Sequence, residues 1–152
     1  MKHKIIKDRK ALNKVCKPCD SVKEGLKIGT TLLEALSETD GVGLAANQIG
    51  INRKVCVIKV QKPIILINPV IVGKFDKIKF MEGCLSFPGD YIVTERYANI
   101  LVSADNHPKP LIFDVKENAL ECVCVQHEID HLNGLTMHDR ITKEAHRGTK
   151  KV

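Results

Sequence analysis

The 152 residues, 43% hydrophobic and 28% charged, fit a single domain spanning 1–152 that buries most of its apolar surface; aromatics reach only 4%, so an aliphatic core is expected. No apolar run approaches the ~18–20 residues of a membrane-spanning helix, and the basic stretch from Met1 to Lys10 has no apolar segment behind it. This excludes a membrane-spanning helix, and a cytoplasmic protein with no secretory leader and no membrane partner is expected. The net charge of +6 reads as a solvated surface because no run of ~5–6 basic residues occurs, so no specific nucleic acid is expected as a partner.

The first feature along the chain is Cys16-Lys-Pro-Cys19, with the C-x-x-C spacing of redox and zinc motifs. A redox pair belongs between a strand and a helix, and a zinc site needs a second pair; neither context is present. Cys56, Cys122 and Cys124 lie in apolar runs and read as small buried hydrophobes. Ser21 with Glu24 is a capping box that opens a helix to about residue 38. Its apolar stripe is Leu26, Gly29, Leu33 and Leu36, widened by Val22, Ile28 and Leu32. After a glycine-rich apolar segment, Gly41 to Gly50, strands are predicted over 54–60, 64–67, 70–72, 77–81, 92–94, 99–103 and 111–115. Several alternate apolar and polar side chains, as half-buried antiparallel strands do. Asn118 with Glu121 is a second capping box, predicting a helix over 119–132 that ends near Gly134. Helix, many strands, helix is the order of an α+β fold: antiparallel sheets packed around the central helix of the C-terminal half, with one N-terminal helix. Residues 143–152, with Lys143, Arg147, Lys150 and Lys151, read as an exposed basic tail.

That second helix carries His127-Glu128-Ile129-Asp130-His131, an H-E-x-x-H pattern. Residues four apart stand one above the other on a helix, so both imidazoles reach one cation. Glu128 falls beside the pair, where a general base must sit to take a proton from activated water. Cys122, Val125, Ile129 and Leu132 form a separate apolar face. A catalytic metal site needs three protein ligands and an open position. No peptidase-type extension follows the motif, and spacing leaves Glu144, His138 and several cysteines open as the third ligand.

Gly41-Val42-Gly43-Leu44-Ala45-Ala46-Asn47-Gln48 and Glu82-Gly83-Cys84-Leu85-Ser86 resemble the first two motifs of the peptide deformylases. Gln126-His127-Glu128-Ile129-Asp130-His131-Leu132 resembles the third, in the same order. The segment from Arg9 to Val22 and Leu66-Ile67-Asn68-Pro69 extend the likeness, which runs from about Ile5 to Asp139. In its short C-terminus the chain is similar to compact, phage-type members. The Gly41 segment also reads as G-x-G-x-x-A, but a dinucleotide fingerprint follows a strand and opens a helix, the reverse of the order here.

The resemblance implies metal-dependent hydrolysis of the N-formyl group from the formyl-methionine of newly made polypeptides, releasing formate. It supplies Cys84 as the ligand that joins His127 and His131, and Fe(II) as the physiological metal, with Zn(II), Ni(II) or Co(II) able to replace it. It implies Glu128 as the proton carrier, with the side-chain amide of Gln48 and the backbone N–H of Leu85 as oxyanion donors. By position, Val42, Gly43, Gly83, Val123 and Cys124 line the substrate's backbone track and Met pocket, the glycines letting a peptide approach closely. Asp130, paired with Arg96, is implied as support behind the ligands. Asn47 stands where Thr or Pro is common, and Tyr91 where some members place a substrate-contacting Arg. Many bacterial members dock on the ribosome through a long C-terminal helix; only 21 residues follow His131, so that helix is expected to be reduced or absent, with the basic tail as a partial substitute. The alternatives are another H-E-x-x-H amidase or peptidase, and a non-enzymatic, metal-holding or ribosome-associated module of the same fold.

Overall fold

Two three-stranded antiparallel sheets enclose one helix in the computed structural model, which describes residues 3–142. The basic tail expected over 143–152 lies outside the described residues. In chain order the elements are α1 (Arg9–Leu12), α2 (Val22–Ser37), β1 (Gly43–Ala45), a 3-10 turn (Ala46–Ile49), β2 (Val55–Ile58), β3 (Ile64–Ile67), β4 (Val70–Cys84), β5 (Phe87–Ala104), β6 (His107–Asp114), α3 (Val115–Leu132) and a second 3-10 turn (Met137–Arg140). Strands order as β1-β2-β3 in one sheet and β4-β5-β6 in the other, and α3 touches both. This is the α+β arrangement expected from the order of elements.

Both predicted N-caps form. Ser21 Oγ accepts from the Glu24 N–H at 3.1 Å, while Glu24 Oε1 reaches back to the Asp20 N–H at 2.9 Å. Asn118 leaves the helical region and its Oδ1 accepts from the Glu121 N–H at 3.0 Å, so the long part of α3 starts there. The helix stops where Gly134 takes a left-handed φ of 77°, a conformation that glycine adopts without a Cβ penalty. The buried face of α2 differs from the predicted one. Gly25, Gly29, Leu32, Ala35 and Leu36 are buried, whereas Leu26 is 43% exposed and Val22 38%. The two glycines decide the rotation: a Cβ on either would come within 2.6 Å of Ile67 or Ile65, so their bare backbone lets the helix lie against β3.

The predicted strands 70–72 and 77–81 are one strand, β4, and 92–94 and 99–103 are one strand, β5. They form a long hairpin whose turn is Leu85–Ser86, with Cys84 facing Phe87 across it. Pro88 and Gly89, outside the predicted pieces, lie at the start of β5, and bulges near Val72 and Gly83 break the alternation. β6 begins earlier than predicted, at His107, because an edge strand tolerates Pro108 and Pro110. The three-residue β1 was not predicted; it pairs with β2 through Leu44 and Val57.

From Cys122 to Leu132 every residue of α3 is buried. Cys122, Cys124, Val125, Ile129 and Leu132 pack with Ala45, Cys56, Leu66, Ile100 and Val102. Cys16 joins this core, while Cys19 joins a second one beneath α2 with Leu32, Leu36 and Val57. The C-x-x-C pair is thus divided between two cores, both thiols buried and unlinked, and burial pushes the Cys19 thiol up to about 11. Gly29→Val is expected to cost about 2 kcal/mol through overpacking against Ile65, read as a lower urea midpoint at unchanged m-value.

Candidate metal centre

Three potential ligands converge from two elements. Cys84 ends β4 at the hairpin tip, past a bulge that follows Glu82, and His127 and His131 stand one turn apart on α3. Their ligand atoms all lie within 4.8 Å of one another, and all three residues are buried. The Cys84 Sγ to His131 Nε2 distance is 3.4 Å. Two such donors around one tetrahedral cation of the zinc type would sit ~3.6 Å apart. His127 Nε2 is buried with no hydrogen-bond partner, so a cation answers a desolvated lone pair that the protein leaves unmatched. A thiolate and two imidazoles suit borderline divalent metals. The donor set therefore fits a metal, and among the described candidates that spacing left open it selects Cys84 over His138 and the other cysteines. His138 instead meets Asp90 at 3.2 Å and packs edge-on against Phe87, and none of the other cysteines joins the group. Glu144 lies outside the described residues.

Behind the ligands is a chain of charges. His127 Nδ1 is 2.8 Å from Glu82 Oε1, which directs Nε2 toward the donor cluster. Arg96 forks onto both oxygens of Glu82, at 2.6 and 2.8 Å, and its third nitrogen reaches Asp130 Oδ2 at 2.6 Å. Thr94 Oγ1 also donates to Glu82, and Arg140 closes the chain with two 3.0 Å bonds to Asp130. Burial alone would push the Glu82 carboxyl up, but the charge and hydrogen bonds of Arg96, helped by His127, hold it far below the usual carboxylate range. Arg96 is likewise opposed by burial and held charged by Glu82 and Asp130. The structure thus places Asp130 and Arg96 in direct contact and adds Glu82, Thr94 and Arg140. Glu82 was visible only as a motif letter; the need of a ligating imidazole for an acceptor on its second nitrogen was the signal that could have singled it out.

Glu128 is wholly buried beside His127. Its Oε2 faces Cys124 Sγ at 3.8 Å, and its Oε1 is buried with no partner. Burial pushes this carboxyl up to about 7, against the pull of His127. Gln48 is 1% exposed and locally locked: Oε1 accepts from the Ala45 N–H at 3.0 Å, and Nε2 donates to Ser86 Oγ at 3.0 Å and toward Cys84 Sγ at 3.7 Å. Asn47 Nδ2 donates to the His131 carbonyl at 2.7 Å, tying the turn that carries Gln48 to the end of α3. Leu85 follows Cys84 in the hairpin turn, its side chain against Gly41. Of the residues assigned by position to the substrate, Gly43, Gly83, Val123 and Cys124 are buried and Val42 is half-buried. Gly43 makes room inside the protein as well, since a Cβ there would overlap Cys124 Sγ and come within 2.6 Å of Glu128 Oε2.

Two buried imidazoles and a carboxylate on one helix, faced by the buried sulfur of Cys84 in an α+β frame, form the site of a metal-dependent hydrolase. The family model for polypeptide deformylases matches residues 2–147. The chain is 37% identical over 137 residues to a peptide deformylase of Hydrogenovibrio crunogenus, covering 86% of this chain and 80% of that one. Its structure resembles a peptide deformylase of Synechococcus elongatus in complex with actinonin (TM-score 0.80, 35% identity, covering 93% of this chain and 78% of that one). It also resembles a probable peptide deformylase of the Synechococcus phage S-SSM7 (TM-score 0.77, 33% identity, covering 91% and 98%). The chain belongs to the polypeptide deformylase family. No helix among the described residues is long and apolar enough to cross a membrane.

Arg96→Met would leave the buried Glu82 carboxylate without its main counter-charge. The expected loss is about 3–5 kcal/mol in urea unfolding, with a weaker hold on metal in chelator competition.

Proposed function

We propose that this protein hydrolyses the N-formyl group from the amino-terminal formyl-methionine of newly made polypeptides, in the cytoplasm, with Fe(II) held by Cys84, His127 and His131. The observation that carries the reading is the convergence of those three donors beside a buried, partnerless Glu128 oxygen. A divalent cation there supplies Lewis acidity, which makes water nucleophilic near neutral pH and polarises the formyl carbonyl.

The chain's own groups do the rest. Glu128 Oε1 takes the proton that water releases when it attacks the formyl carbon, then gives it to the amine nitrogen as the C–N bond breaks. The raised affinity of this carboxyl for protons suits both transfers, because a carrier works best with a pKa near the working pH. The Gln48 amide and the Leu85 backbone N–H donate to the oxygen that gains charge, each such donor being worth about 3–4 kcal/mol. The Ala45 N–H holds the Gln48 carbonyl in place, and the amide gives up its bond to Ser86 Oγ or its approach to Cys84 Sγ to donate to that oxygen. The Glu82–Arg96–Asp130 chain keeps the His127 ring oriented and ties the hairpin to the helix that carries both histidines.

Formate release from a short N-formyl-Met peptide by Fe(II)-loaded protein under anaerobic conditions is the direct test. Turnover with little action on the N-acetyl-Met analogue is expected, and Glu128→Ala should lose about 10²-fold or more in kcat while keeping its metal. Well-folded, fully metallated protein that releases no formate would overturn the reading. Cys84→Ala should lose metal and melt lower, because ligands and folding are coupled. In air, the Fe(II) form is expected to lose activity faster than the Ni(II) form, since both the iron and the Cys84 thiolate oxidise; equal lifetimes would argue against iron.

A further inference from the structure

Glu128 has two oxygens in unequal surroundings. Oε1 is buried without a partner, and Oε2 lies 3.8 Å from Cys124 Sγ, one helical turn earlier on α3. The backbone of Gly43 packs on the same side, where even a methyl group would overlap Cys124 Sγ and intrude to 2.6 Å from the same Oε2. Cys124 is itself wholly buried. We propose that Cys124 is a positioning residue for the reaction: its S–H donates to Glu128 Oε2 and, seated against the bare backbone of Gly43, holds the carboxylate so that Oε1 alone carries the proton. The proposal rests on the deformylase reading above and moves Cys124 from the substrate's side-chain pocket to the support of the base.

The physical reason is rotational freedom. A carboxylate next to two imidazoles can turn about its last torsion and exchange its oxygens, and each non-productive orientation lowers the fraction of protein ready for transfer. A weak donor on one oxygen biases that torsion without competing for the other. Burial pushes the Cys124 thiol well up, so it keeps the hydrogen that it must donate. Sulfur also suits the space, being bulky enough to touch both Gly43 and Glu128.

The test compares Cys124→Ala and Cys124→Ser in the Ni(II) form, with N-formyl-Met and N-formyl-norleucine peptides and metal content measured throughout. Cys124→Ala should lower kcat about tenfold for both peptides, with KM and metal stoichiometry unchanged, because it removes one hydrogen bond to a charged group. Cys124→Ser, which keeps a donor at Cβ, should recover most of that loss. In infrared difference spectra of parent minus Cys124→Ala, the S–H stretch should lie below that of a thiol with no acceptor. An effect confined to KM and differing between the two peptides would return Cys124 to the substrate pocket and overturn the proposal. Equal kcat in parent and Cys124→Ala, equal losses in the Ala and Ser variants, or an unshifted S–H band would overturn it too. Absence of turnover in the parent protein would instead count against the deformylase reading, so the two failures are distinct; the S–H band then still decides the contact.

Discussion

Arg96 is the contact on which the site depends. It lies nearly out of water between two buried carboxylates, Glu82 on its own hairpin and Asp130 on the central helix. Taking three charges into the interior costs several kcal/mol each, and only close, multiply bonded geometry offsets it. That demand fixes geometry as well as charge. The fork onto Glu82 sets the carboxylate plane, Glu82 then sets the His127 ring, and the arm to Asp130 locks the hairpin against α3. The hairpin tip carries Cys84, so one guanidinium controls the relative placement of all three metal donors.

The same logic explains why α3 from Cys122 to Leu132 bears so many polar groups with no solvent face. Gln126 exchanges two 2.9 Å bonds with the backbone of Tyr97, as another strand of the sheet would. Asp130 is matched by Arg96 and Arg140, and the His131 carbonyl by Asn47. What remains unmatched among the buried side chains of this helix is confined to His127, His131 and Glu128. A buried polar atom left without a partner costs about 1–3 kcal/mol, and here that cost is concentrated where a cation and a substrate belong.

Glycines give a second view of how packing serves chemistry. Gly25 and Gly29 bring α2 against β3 and so support the β1–β2 wall beneath the site. Gly43 brings a strand so near to α3 that its backbone packs against both the Cys124 thiol and the Glu128 carboxylate. The sequence marked Gly41 and Gly43, and neither Gly25 nor Gly29, as places where a peptide approaches closely, but a glycine does not say what approaches it. For Gly43 the neighbour is the protein's own base, and for Gly41 it is the Leu85 side chain.

The sequence by itself determined what local rules govern. The capping atoms of Ser21 and Asn118 and the stop at Gly134 depend only on near neighbours along the chain. The one-turn spacing of His127 and His131 is fixed by helical periodicity, and the α+β class by the order of apolar segments. What the tertiary structure alone decided depends on residues far apart in the chain. The choice of Cys84 over His138 as a ligand neighbour needs a contact across 47 positions, and spacing within a helix is silent on it. The joining of four predicted strand pieces into one hairpin needs cross-strand pairing that overrides Pro88-Gly89 and Gly73. Glu82, Thr94 and Arg140 escaped notice because an acidic, hydroxyl or basic residue on a strand or turn has no signature until the charge that it must match is seen beside it.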